Sequence, residues 1–166
     1  MENQIELKLK INYLRDMWLE FCEKHTELYE LTCDEYMHLL SSEIEKLEET
    51  VETKNNLVNY IGQLEQNRNE LTTEISILYN IEKPKKLNDL VLTLEANQEI
   101  GIATEIKKLN LVLLDIIEKI QEQNKKNQVF LNKAIFSLRE LKDSFTGKTT
   151  YNTYSSSGMS KNSNTY

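Results

Sequence analysis

The chain predicts an all-α fold: an elongated antiparallel helical bundle of three to four helices, with a C-terminal amphipathic helix and a disordered tail. Three observations carry this expectation. Only one proline and four glycines interrupt 166 residues, so long helices meet few breakers. Apolar residues recur at steps of three and four over long stretches. Charged residues make up 28% of the chain, a share that suits solvated helix faces around a modest core.

The first helix is expected from Ile5 to Leu40, where Leu7, Ile11, Leu14, Trp18, Phe21, Leu28, Leu31, Tyr36 and Leu39 keep one face apolar. A turn at Ser41-Ser42 follows, because Ser42 with Glu45 makes a capping-box pattern and the apolar face restarts at Ile44 and Leu47. Thr32 with Glu35 is a competing start, but the apolar face runs across it undisturbed. The second helix is expected from Glu43 to about Tyr79, with Ile44, Leu47, Val51, Leu57, Ile61, Leu64, Leu71, Ile75 and Leu78 inward. On that choice of residues the seven-residue spacing slips near Lys54, which favours an antiparallel bundle over a long regular coiled coil. Pro84, within Glu82-Lys83-Pro84-Lys85, separates this helix from the next, since proline has no amide donor.

A short helix is expected over Leu87 to Ala96, and a last one from about Glu99. Ile102, Ile106, Leu109, Leu113, Ile116 and Ile120 give the last helix a seam suited to packing along the first two. The seam then meets eight polar residues, Gln121 to Gln128, including Gln123 and Asn127. Amides of that kind are not left unsatisfied in a core, where each costs about 1–3 kcal/mol. Beyond them Val129, Phe130, Leu131, Ala134, Ile135, Phe136, Leu138, Leu141 and Phe145 form a band wider than one neighbouring helix would cover. After Gly147 the chain becomes rich in Ser, Thr and Asn. The expected organisation is a bundle over residues 1–120, a polar spacer and amphipathic helix over 121–145, and a tail over 146–166.

Several functions lose support at this level. The net charge of −7 is uneven, with 17 acids against 7 bases in residues 1–80 and 10 against 13 in residues 81–166. Lys83, Lys85, Lys86, Lys107, Lys108, Lys125 and Lys126 are scattered and not interleaved with aromatics, so no nucleic-acid groove is expected. Apolar runs such as Leu111 to Leu114 fall far short of the roughly 20 residues that cross a bilayer. The start, Met1-Glu2-Asn3-Gln4-Ile5, lacks a basic, then apolar, signal pattern, and a cytoplasmic location is expected.

Cys22 and Cys33, eleven residues apart in one helix, stand about 16 Å apart along its axis and cannot bridge each other there. Cys22 with His25 supplies two ligands, short of a zinc shell. His38 has no nucleophile near it in the pattern, and no phosphate loop or serine elbow occurs. No cofactor, metal or enzymatic activity is expected.

The band from Val129 to Phe145 has two readings on the residues alone. It packs on the far end of the bundle, or it is a detached amphipathic helix that docks on another protein. In the second case the occupant is a partner or, for a scaffold or self-association module, a second copy that hides the face as a homodimer. Membrane-surface binding is less favoured, because Glu140 and Asp143 offset Lys133, Arg139 and Lys142.

Three stretches resemble the FlgN-type flagellar export chaperones. Glu52-Thr53-Lys54-Asn55-Asn56-Leu57, continued by Leu64-Glu65-Gln66-Asn67-Arg68, is similar to that family's Glu-x-Lys-x-x-Leu and Leu-Glu-x-x-Arg steps. Asn124-Lys125-Lys126-Asn127, followed by Leu131, resembles its Asn-x-x-Asn lead into a C-terminal amphipathic helix. Tyr154-Ser155-Ser156-Ser157-Gly158 resembles the Tyr-x-x-x-Gly element that follows that helix. The resemblance implies a cytoplasmic helical chaperone holding the C-terminal segments of the hook-filament junction proteins FlgK and FlgL before type III export. It implies client contacts at Asn124, Asn127, Val129, Phe130, Leu131, Ala134, Ile135, Leu138, Leu141 and Phe145. Tyr154 and Gly158 would then contact the export gate.

Overall fold

The structure, a computed structural model, describes residues 2–84 and 86–146. Four helices follow in order: α1 (Glu2–Ser41), α2 (Ile44–Leu78), α3 (Leu87–Ala96) and α4 (Ile100–Phe145). No strand occurs among the described residues, so the fold is all-α as expected. The expected tail lies outside the described residues. The chain divides into two compact units, Met1–Asn127 and Gln128–Tyr166. The second unit begins inside the uninterrupted helix α4, so the polar run Gln121 to Gln128 is itself helical.

In the first unit α1 and α2 form an antiparallel hairpin. Early residues of α1 meet late residues of α2: Lys10 pairs with Glu74 at 2.7 Å, the Tyr60 hydroxyl donates to Glu20, and Lys54 pairs with Glu35 at 2.6 Å. Helix α4 runs parallel to α1 along this hairpin. Arg15 lies 3.6 Å from Glu105, the Cys22 thiol donates to the Leu109 carbonyl oxygen at 3.3 Å, and Asn127 bonds to Thr32.

The core is a three-helix seam capped by α3. Ile11, Leu14, Met17, Trp18 and Phe21 of α1 pack with Leu64, Leu71 and Ile75 of α2, Leu90, Val91 and Leu94 of α3, and Ala103 and Ile106 of α4. A smaller cluster joins Leu28, Leu57 and Ile120. Each helix thus presents an apolar stripe inward, and burial of these stripes is the main stabilising term.

Two expectations for α2 are corrected. Ile44 is 60% exposed and Val51 38% exposed, whereas their neighbour Thr50 is buried. With Thr50 in place of Val51 the seam does not slip: Leu47, Thr50, Lys54, Leu57, Ile61, Leu64, Arg68, Leu71, Ile75 and Leu78 alternate steps of three and four, and all are at least partly buried. The regular seven-residue repeat is therefore sustained, with polar members. Ala103, Ile106, Asn110, Leu113, Ile117, Ile120, Asn124 and Asn127 repeat in the same way along α4.

The turn at Ser41-Ser42 forms where expected, but Ser42 does not cap α2. It adopts a left-handed φ of 58° and terminates α1, with the Glu43 amide bonded to the His38 carbonyl oxygen five residues back. Glu43 is the N-cap residue of α2, with no side-chain cap bond. The same ending recurs at Asn80 (φ 53°), with the Ile81 amide on Ser76, and at Gln98 (φ 68°), with the Glu99 amide on Leu94. Three helices therefore close with a left-handed residue and a six-to-one backbone bond, and none uses glycine at that position. Thr32, the competing start, is buried inside α1 and donates to the Leu28 carbonyl oxygen at 2.7 Å.

Candidate functional site

The last turns of the first unit carry a polar layer. Lys54 projects from the α2 seam, donates to Glu35 of α1 at 2.6 Å and to the Asn124 side-chain oxygen of α4 at 2.8 Å. One turn further, the buried Asn127 side chain donates to the Thr32 carbonyl oxygen at 2.9 Å, and its own oxygen accepts from Gln123 at 3.0 Å. Among the described residues no buried side-chain nitrogen or oxygen lacks a partner. The layer is thus a satisfied network, which avoids the cost of a desolvated, unpaired amide.

This network accounts for the residues that resemble a family motif. Leu57 and Leu64 are buried core members. Arg68 forms a two-pronged contact with the Glu65 carboxylate and lies over the Trp18 ring at 5.3 Å. These contacts join α2 to α1 and α4. Asn124 and Asn127, expected at the client surface, have their side chains engaged within the first unit.

The second unit presents the apolar band. At about 100° per residue, Phe130, Leu131, Ala134, Ile135, Leu138, Leu141 and Phe145 fall within an arc of roughly 140°. Val129 and Phe136 stand on the opposite side of the helix by the same geometry. Leu131, Ile135, Leu138, Leu141 and Phe145 are all exposed, from 39% at Ile135 to 88% at Phe145. Ala134 and Phe130 are partly buried. Contiguous apolar faces this exposed are uncommon on the surface of soluble monomers. Lys142 falls inside the arc, between Leu131 and Ile135, and Asp143 lies behind it. Tyr154 and Gly158 lie outside the described residues.

Titratable groups show no catalytic arrangement among the described residues. Burial pushes the Cys22 thiol up, with the charge on Glu23 adding to it. Both cysteines are free. His25 places Nδ1 2.7 Å from the Phe21 carbonyl oxygen, and His38 places Nδ1 3.2 Å from the Glu43 carboxylate. No group of three metal-ligating side chains occurs among the described residues. No helix among them is long and apolar enough to cross a membrane.

No curated protein and no solved structure matches the chain. A family model, described as FlgN protein, matches residues 9–162.

Proposed function

The chain belongs to the FlgN family of flagellar export chaperones, and on that premise we propose that it guards hook-associated proteins by docking their C-terminal helical segments on residues 130–145. The observation that carries this is the exposed arc from Phe130 to Phe145. A helix that leaves five large apolar side chains in water is stabilised by a partner that covers them. An amphipathic segment laid along such a face supplies that cover.

The clients we propose are the hook-filament junction proteins FlgK and FlgL. Covering their sticky ends in the cytoplasm suppresses premature association, and the complex is then delivered to the export gate. Tyr154 and Gly158 are proposed as the gate contact. Asn124 and Asn127 we assign to the bundle and not to the client, since their side chains already bond to Lys54 and Thr32. Val129, on the opposite side of the helix, stands outside the proposed docking face. No chemical step is involved, as befits a chaperone family.

Amide hydrogen exchange of the full chain with and without purified FlgK tests the placement. Protection gained over residues 130–145 is the expected result. Protection confined to residues 1–127 would overturn it.

A further inference from the structure

A groove of about 430 Å³ opens on the first unit. Its walls include Trp18, Phe21, Ile61, Leu113 and Ile117, and Pro84, Lys86 and Leu87 border it. That volume falls within the usual range of ligand pockets, roughly 300–1,000 Å³. Three residues of its lining, Arg68, Lys86 and Asn110, offer hydrogen-bond donors. Arg68 is held in place by stacking on Trp18 and by its Nε and Nη2 bonds to Glu65, and Nη1 takes no part in that fork. The Asn110 side-chain oxygen accepts from Trp18 Nε1 at 3.5 Å, which leaves its NH₂ group as a donor. Lys86 adds an exposed ammonium. The one acid in the lining, Glu65, is already committed to Arg68.

We propose that this groove is a second protein-docking site, which takes a segment of a partner protein carrying an aliphatic side chain beside a carboxylate. The aliphatic group fills the apolar walls, and the carboxylate accepts from Arg68 Nη1, Asn110 Nδ2 and Lys86 Nζ. A fixed guanidinium loses little freedom on binding, which favours a charge-assisted bond at this position. The surrounding chain is strongly acidic, with 17 acids against 7 bases in residues 1–80. Screening over about 8–10 Å keeps that repulsion from governing a contact made inside the groove.

Trp18, the chain's single tryptophan, reports directly on occupancy. The probe is a capped pentapeptide with an aspartate between two leucines, compared with the same peptide carrying lysine there. Titrated into the full chain, the aspartate peptide should shift Trp18 emission saturably and bind roughly fivefold tighter or more than the lysine peptide. Lys86→Glu and Asn110→Asp, each checked for unchanged helicity, should weaken it by a similar factor. If Asn110→Asp fails to fold, the exposed Lys86→Glu decides the matter. Leu131→Glu should leave the titration unchanged, which separates this groove from the arc on the second unit. The proposal is overturned by no saturable response up to about 10 mM, by equal binding of the two peptides, or by loss of binding in Leu131→Glu.

Discussion

The Lys54 ammonium lies 2.6 Å from the Glu35 carboxylate across the α1–α2 hairpin, and both side chains are about four-fifths shielded from water. The same ammonium donates to Asn124, so one residue of α2 ties together three helices. Lys54→Met should strand Glu35 without its counter-charge and lower unfolding stability by about 1–3 kcal/mol. Adding Glu35→Leu should restore much of that loss, since a part-buried pair is replaced by apolar contact. Urea unfolding of the two variants checks it. A double variant less stable than Lys54→Met would contradict this reading of the pair.

The three left-handed helix endings offer a second test. Gln98 holds φ at 68° and carries a Cβ that disfavours that region. Gln98→Gly should therefore raise stability by about 0.5–1 kcal/mol, seen as a higher thermal midpoint. A lower midpoint would mean that the Gln98 side chain contributes more than its backbone strain costs.

Core and docking face should respond in opposite ways to truncation. Ile106 is fully buried, and Ile106→Ala should cost about 2–5 kcal/mol. Leu138 is 65% exposed, and Leu138→Ala should change stability by less than about 0.5 kcal/mol while weakening client binding. Paired melting and binding measurements separate the two effects. A large stability loss in Leu138→Ala would make that residue part of a core.

At the hairpin corner, Lys46 first, then His38 and Ser41, hold the Glu43 carboxyl down at about 2, from an ordinary value of 4.5. A depressed folded value means that the carboxylate's contribution is present above its unfolded range. It is lost as pH falls from about 4.5 toward about 2. Glu43→Gln should therefore melt below the parent chain near pH 6, and the gap should close near pH 2. A gap that persists at the acid end would assign the effect to shape and not to charge.

Much of the fold was legible because apolar side chains at steps of three and four mark a helix face whatever the neighbours are. Helix α3 falls on Leu87–Ala96 as expected, and Leu57, Leu64, Leu71 and Ile75 of α2 are buried where the spacing put them. What spacing alone misread were polar residues on the same seam. The apolar spacing puts Val51 inward, yet Thr50 keeps the seven-residue step and is the buried one. Lys54 looked like the place where the repeat slips, but its stem occupies a seam position and its charge finds Glu35. Ser42 with Glu45 carried a capping pattern, but that pattern says nothing of the backbone sign, and Ser42 turns left-handed to close the preceding helix. At the candidate site the apolar arc could be read from the chain. That Asn127 reaches back to Thr32 could not, because 95 residues separate the two.

The central claim is that the arc from Phe130 to Phe145 holds the client. Its most direct measurement is co-purification of FlgK and FlgL, from the same genome, with the full chain and with a Leu131→Glu, Ile135→Glu double variant. Retention by the parent chain and loss in the variant, with helicity unchanged, is the expected result. Undiminished retention by a folded variant would contradict the claim and place the client elsewhere on the chain.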